Sequence, residues 1–359
     1  MINFRSDNEA PVAPEIMRAL AEANHGKAAS YGADAVTARL KTRFAEVFET
    51  EVAVFPVVTG TAANALALAQ VTPPYGAVYC HPQAHILVDE CGAVPFHAGG
   101  AMLWPIEAED GKLRPDSLGA ALAAAGAHGD HQSASAAVSF AQATEAGTTY
   151  KTDHIAALAA LAHDHGLAVH MDGARLANAI AGLGCAPADI TWRAGVDLLS
   201  FGATKNGALA AEAVVLFDPA RAPGLGRRRM RAGHLLSKMR FVSVQLEAYL
   251  TGGLWLRLAG QANRAARRLG TGLAGLPGAA LLHPVEANEV FVRLPETLIG
   301  ALAADGFTFH RWPGIAGAVR LVCAWDTRDD EIDALLEAAA GHAGGRARIT
   351  SRVTPRVTP

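Results

Sequence analysis

Several things are scarce in this sequence. No apolar run in the 359-residue chain approaches the roughly 18 uninterrupted residues that a bilayer-spanning helix needs, so no membrane span is expected. Cysteine is rare. Cys80, Cys91, Cys185 and Cys323 have neither zinc nor redox spacing and read as buried free thiols in a reducing compartment. An excess of one charge is also missing. The 31 Lys and Arg residues against 34 Asp and Glu give a net charge of −3, which offers no general case for a nucleic acid or a membrane as partner. The start, Met1-Ile2-Asn3-Phe4-Arg5-Ser6-Asp7, lacks the apolar core of a secretory signal. A cytoplasmic protein is the expectation.

What is present is apolar. Hydrophobic residues make up 51% of the chain and charged residues 18%, enough for a large core or two domains. Strand-like runs alternate with helical ones. Residues 52–58 read as a strand, and the turn Thr59-Gly60-Thr61-Ala62-Ala63-Asn64 leads into a helix to Gln70. Strands are also expected at 77–80, 137–141, 167–172, 198–202 and 212–217, and helices at 14–23, 37–48, 113–127 and 153–165. This alternation indicates an α/β fold with a mostly parallel sheet, whose ligands bind at the carboxyl ends of the strands. Around 250–256 the pattern shifts. A long helix over 256–273, strands at 290–294 and 318–322, and helices at Ala301 and Ile332 read as a smaller α+β domain. The expected division is an N-terminal arm (1–15), a large domain (16–250), a small domain (251–343) and a disordered Arg-rich tail (344–359).

Polar residues recur where these strands end. Leu198-Leu199-Ser200-Phe201-Gly202-Ala203-Thr204 runs into Lys205 and an Asn-Gly turn, so Lys205 should face a cleft. A lysine there is expensive to bury charged, and a neutral amine attacks an aldehyde to form an imine. A surface lysine beginning a turn is the alternative. Leu167 to Met171 runs into Asp172, Gly173, Ala174 and Arg175. A buried carboxylate facing the same cleft as Lys205 is what a pyridoxal phosphate site needs, because the pyridine works as an electron sink only while its nitrogen stays protonated. The small residues Gly60 and Thr61 open a helix whose N–H groups and dipole suit a phosphate, with a plain Thr cap as the alternative. No Gly-Lys-Ser/Thr follows there, so this is not a Walker loop.

Other candidates are more open. Pro82 between His81 and His85 argues against a helix presenting both to a metal, and His85 is favoured as an imidazole stacked on a cofactor ring. Gln142 ends the strand at 137–141. Ser6 and Tyr31 become site residues if the arm crosses the cleft, and are surface residues otherwise. Arg240, beside Phe241 and Val242, could reach a phosphate across a subunit contact, whereas Arg227 and Arg228 read as a solvated helix face. Arg320, a cation within an apolar strand, reads as half of a buried ion pair or as the grip on a substrate carboxylate.

Taken in order, certain segments carry a family likeness. They are Arg5-Ser6-Asp7, Thr59-Gly60-Thr61-Ala62-Ala63-Asn64, Ala84-His85, Asp89-Glu90-Cys91-Gly92-Ala93 and Gln142-Ala143-Thr144-Glu145. They continue with His170-Met171-Asp172-Gly173-Ala174-Arg175, Thr204-Lys205-Asn206-Gly207 and Ser237-Lys238-Met239-Arg240-Phe241. From Phe4 to Asp326 the chain resembles the low-specificity L-threonine aldolases and their L-phenylserine aldolase relatives. These are fold-type I pyridoxal 5'-phosphate enzymes with a three-layer α/β/α domain around a seven-stranded, mostly parallel sheet. The resemblance implies Lys205 as the imine lysine, Asp172 at the pyridine nitrogen and His85 on the ring. It implies Gly60 and Thr61 at the phosphate, with Arg240 reaching it from a neighbouring subunit. It implies Ser6, Arg175 and Arg320 at the substrate carboxylate, and His131 near the substrate hydroxyl, where His85, His131 or a held water would be the base. The implied activity is aldol cleavage of a β-hydroxy-α-amino acid to glycine and an aldehyde, in a homodimer or homotetramer with shared active sites. β-Elimination, transamination or decarboxylation on the same fold is the alternative. One departure stands out. Many relatives have Asn-Thr-His where this chain has Gln142-Ala143-Thr144-Glu145.

Overall fold

In the computed structural model, residues 2–125, 127 and 129–344 are described. The first half of the chain runs β1 (Ile2–Asn3), α1 (Pro14–Ala23), α2 (Ala35–Phe48), β2 (Ala53–Val57), α3 (Gly60–Val71), β3 (Gly76–Cys80), α4 (His85–Val88), α5 (Ala93–Ala98), β4 (Met102–Pro105), α6 (Pro115–Ala124), β5 (Ala134–Ala141) and α7 (Thr152–Asp164). Then come β6 (Ala168–Gly173), α8 (Leu176–Leu183), β7 (Leu198–Gly202), β8 (Glu212–Leu216), α9 (Leu225–Arg231), α10 (Arg240–Leu250) and α11 (Leu254–Ala274). The chain closes with β9 (Ala280–Leu281), β10 (Glu289–Arg293), α12 (Glu296–Ala304), β11 (Phe307–Thr308), β12 (His310–Arg311), β13 (Ala318–Val322) and α13 (Asp329–Ala343).

Among the described residues, seven strands form one sheet in the order β2-β8-β7-β6-β5-β3-β4. Only β8 runs against its neighbours, and β7, β6, β5, β3 and β4 are parallel. The central strands β6 and β7 are buried along their whole length, which is why they read as continuous apolar runs rather than alternating ones. On one face, Phe44 and Phe48 of α2, Phe201 of β7 and Tyr249 and Trp255 form an aromatic cluster, with the Phe44 and Phe201 ring centres 5.0 Å apart. On the other lies α3, buried from Ala62 to Ala69. A helix covered on all sides needs small residues to approach the sheet, and five of the eight residues from Ala62 to Ala69 are alanine. Its N-terminus lies at the sheet's carboxyl edge, with Gly60 and Thr61 half-buried.

A second, antiparallel sheet, β12-β13-β10-β9, packs on α11, and α13 packs against α11 in turn. Its core holds Leu269, Val292, Leu321 and Ile332. The N-terminal arm belongs to this core rather than crossing a cleft as a free strap. β1 pairs in parallel with β11, and Phe4 is 1% exposed among the small-sheet residues. The chain then passes through Asp7 to Ala13 in the main core, which brings residues 5–8 to the seam between the two sheets. The tail expected from residue 344 onward falls, but for Gly344, outside the described residues. Among the described residues no helix is long and apolar enough to cross a membrane.

Candidate active site

A cavity of about 300 Å³ opens at the carboxyl ends of β5, β6 and β7, against the first turn of α3. Lys205 and Asp172 both line it. Two glycines make that possible. A Cβ on Gly202 would stand 2.6 Å from the Ala174 carbonyl oxygen, and one on Gly173 would stand 2.6 Å from Leu199 Cδ1. Only glycine lets the ends of β6 and β7 close up, so that the residues just beyond them share one hollow.

Asp172 is fixed from two sides. Its Oδ1 accepts the Ala174 N–H at 3.0 Å and its Oδ2 accepts from Asn64 Nδ2 at 2.7 Å. Asn64 Nδ2 also donates to Glu90 Oε1 at 2.7 Å, and that oxygen accepts from His85 Nδ1 at 2.8 Å. A continuous chain of polar contacts thus joins His85 to Asp172. The hydrogen bond to Glu90 raises the His85 pKa above its ordinary value, with burial opposing it. Burial pushes the Glu90 carboxyl up, against the pull of His85 and Asn64. Two residues before Asp172, on the same strand face, His170 is driven down to about 4 by burial. It is held between the Ser139 and Ser200 hydroxyls at 2.9 Å each, a neutral strut across three strands.

Gly60 and Thr61 line the cavity at the start of α3. The Thr59 side chain accepts the Ala62 N–H at 3.1 Å. The N–H groups of Gly60 and Thr61 have no intrahelical acceptor to use and are left for an anion. The donor set therefore fits pyridoxal 5'-phosphate: an amine, a carboxylate and an anion-binding helix start converge on one cavity, with an imidazole beside them. Asn64 Oδ1 and Glu90 Oε2 are buried next to it with no hydrogen-bond partner among the described residues.

Arg175 lines the cavity, but its guanidinium is held by Asp7 in a bidentate pair at 2.7 and 2.9 Å, with Glu289 at 3.4 Å. Burial works against its charge, yet Asp7 and Glu289 outweigh burial and raise its pKa. Asp7 is likewise held below its ordinary value: burial opposes ionisation, and Arg175, Lys205 and Asn288 overcome it. Arg320 Nη1 lies 3.8 Å from Glu289, its guanidinium is 5.5 Å from the Trp312 ring centre, and its Nε is buried without a partner. The two arginines thus flank one buried carboxylate rather than standing free.

The structure does not bring every candidate here. Gln142 is fully buried, and its amide is closed on Tyr150, accepting from its N–H at 2.9 Å and donating to its carbonyl at 3.0 Å. It braces the loop after β5, and this corrects its reading as a cofactor contact. His131 is exposed in a turn ahead of β5, and the cavity lies beyond that strand's other end. Eight residues at about 3.3 Å each put it roughly 25 Å away, which corrects its reading as a catalytic residue of its own chain. Tyr31 is 55% exposed in its turn, and Arg240 donates to the His25 and Gly26 carbonyls; neither lines the cavity of its own chain. Ser6 caps the turn at Asp7–Glu9, and it is its neighbour Asn8 that lines the cavity. His81 is buried, with its Nδ1 on the Gln83 N–H, and takes the structural reading. Asn64, Glu90, Glu145 and Glu212 line the cavity without having been singled out. Asn64, Glu90 and Glu145 do stand inside the motifs quoted above. Glu212 carried a weaker signal, an acid opening an apolar strand.

The sequence profile of the family described as "Beta-eliminating lyase" matches residues 3–297. The chain is 44% identical over 332 residues to the low specificity L-threonine aldolase of Pseudomonas aeruginosa, covering 92% of this chain and 95% of the relative. It is 42% identical, with the same coverage, to that of a Pseudomonas strain. A threonine aldolase structure from Leishmania major superposes with a TM-score of 0.89 at 28% identity, covering 96% of this chain and all of the other. By sequence and fold the chain belongs to the beta-eliminating lyase family and, within it, to the low-specificity L-threonine aldolases.

Proposed function

We propose that the protein is a pyridoxal 5'-phosphate-dependent carbon–carbon lyase that cleaves L-threonine and related β-hydroxy-α-amino acids to glycine and an aldehyde. The observation that carries this reading is the convergence of Lys205, Asp172 and the start of α3 on one cavity. When bound, the cofactor supplies the electron sink that lets the Cα–Cβ bond break. Lys205 would hold its aldehyde carbon. Asp172, anchored by Asn64 and Ala174, would keep the pyridine nitrogen protonated. The N–H groups of Gly60 and Thr61 would hold the phosphate, and His85 would cover the ring. Arg175 and Arg320, with Ser6 nearby, would hold and orient the substrate carboxylate.

Finer points belong to the same reading. Phenylserine and allo-threonine are expected substrates besides threonine. A homodimer or homotetramer, in which Arg240 and Tyr31 complete a neighbour's site, is supported by the absence of both from the lining of their own cavity and by exposed apolar side chains such as Phe96, 81% exposed, and Leu209, 58% exposed. Free cysteines among the described residues fit a cytoplasmic setting. Lys205→Ala should abolish the yellow imine absorbance and nearly all turnover. Product analysis with threonine and phenylserine should give glycine plus aldehyde. Pyruvate and ammonia, or an active yellow Lys205→Ala protein, would refute the assignment.

A further inference from the structure

We propose that Glu145 is the base that takes the proton from the substrate's β-hydroxyl group, an inference that rests on the aldolase reading above. Glu145 follows β5 and lines the cavity together with Asp172, His85 and Lys205. Its Oε1 accepts the backbone N–H of His85 at 3.1 Å. That bond fixes the carboxyl on the His85 side of the cavity that the residue lines. A β-hydroxyl proton needs an acceptor there, and a carboxylate is acceptor-only when ionised.

The histidines are poorer acceptors. His131 lies at the opposite end of β5. His85 has its Nδ1 on Glu90, whose hydrogen bond favours the imidazolium, and an imidazolium can only donate. Glu90 and Asp172 are both tied to Asn64. Glu212 is engaged by Thr204 through both its backbone N–H, at 3.4 Å, and its side chain, beside Lys205.

The groups facing Glu145 set its proton affinity. Burial pushes its carboxyl up to about 7, Asp172 adds to the rise, and His85 and nearby backbone N–H groups oppose it. Cys80 and Tyr150 are the other titratable neighbours, and the Glu145 charge pushes both up further. A base poised near the working pH is efficient, because it is ionised yet holds a proton well. In the step itself the hydroxyl O–H bond breaks and a Glu145 O–H bond forms. The freed oxygen pair closes the aldehyde C=O. The Cα–Cβ pair stays with the amino-acid Cα, where a returned proton completes glycine.

The test compares the holoenzyme with Glu145→Gln and Glu145→Asp on threonine and phenylserine. Alongside it, exchange of the glycine α-proton with deuterium oxide serves as a reaction without a β-hydroxyl. Expected for Glu145→Gln is a hundredfold or greater fall in kcat with KM within about threefold, in the range that general bases contribute. Its bound-cofactor absorbance and glycine exchange should stay near those of the parent. The parent's kcat/KM should rise with pH through about 7, that limb should vanish in Glu145→Gln, and Glu145→Asp should recover part of the rate. In cofactor-free protein labelled with 13C at glutamate carboxyls, Glu145 and Glu212 should both titrate near pH 7, and one of those two resonances should disappear in Glu145→Gln while the other stays. Cleavage within fivefold of the parent, a retained pH limb, or an equal loss of exchange and cleavage would overturn the role of Glu145 while leaving the aldolase reading standing. A parent that exchanges glycine but cleaves no β-hydroxy amino acid would overturn the aldolase reading, and this inference with it.

Discussion

Asn64→Ala removes the centre of the network that joins His85 to Asp172. One amide nitrogen donates to Glu90 and to Asp172, each at 2.7 Å, and Asn64 is 2% exposed. Hydrogen bonds to charged groups contribute about 1.5–3 kcal/mol each. Glu90 keeps His85, and Asp172 keeps the Ala174 N–H, so neither carboxylate is left bare. The lower end of the sum applies: about 3 kcal/mol at neutral pH, or more than a hundredfold in the folding equilibrium. The loss should depend on pH with a definite sign. The folded pKa of Glu90 lies above its ordinary value, so its contribution to stability is full at low pH and is lost as pH rises through the folded value. The Asn64 donor pulls that pKa down, so removing it widens the window and steepens the loss. Urea denaturation of the cofactor-free protein should show the variant about 3 kcal/mol weaker at pH 8 and clearly closer to the parent at pH 5. Asn64→Asp, which places a third carboxylate between two others, should be weaker still at pH 8. A deficit below about 1 kcal/mol at pH 8, or the same deficit at both pH values, would refute the network as an energetic unit.

Other perturbations read other parts of the site. Burial pushes the Glu212 carboxyl up to about 7, so its stabilising contribution is present below the ordinary carboxylate range and lost as pH rises through about 7. Glu212→Gln should therefore gain about 2–3 kcal/mol on the parent between pH 5 and pH 8, as followed by thermal unfolding. Gly202→Ala drives a methyl against the Ala174 backbone and should cost about 1–3 kcal/mol, with cofactor affinity weakened about tenfold or more in an absorbance titration. Gly300→Ala, in open space on α12, should instead raise stability by about 0.5–1 kcal/mol. Asp7→Asn leaves Arg175 with Glu289 alone; it should destabilise by about 3 kcal/mol, the low end for breaking a buried pair, and raise KM for the amino acid more than it lowers kcat.

The strands of the large sheet were legible because β6 and β7 are covered on both faces, so their sequences are unbroken apolar runs with polar residues only where they end. That pattern alone put Lys205 and Asp172 at one edge of one sheet. Exposed β4, whose Met102 and Trp104 face outward, carried no such signal and went unseen. Nor does periodicity report pairing at a distance. That β1 joins β11, and that Asp7 comes to neutralise Arg175, follows from contacts spanning most of the chain. The same limit explains the errors after β5. A strand end announces polar residues without saying which way each side chain turns. Gln142 was chosen because it comes first, yet it faces back to Tyr150, and Glu145, three residues on, meets the cavity. His131 entered through the family likeness, which implies a histidine near the substrate hydroxyl, although its place before β5 already put it at the edge of the sheet where no ligand binds. Position relative to strand direction was the stronger clue of the two. Applied consistently, it passes over the histidine and selects the glutamate.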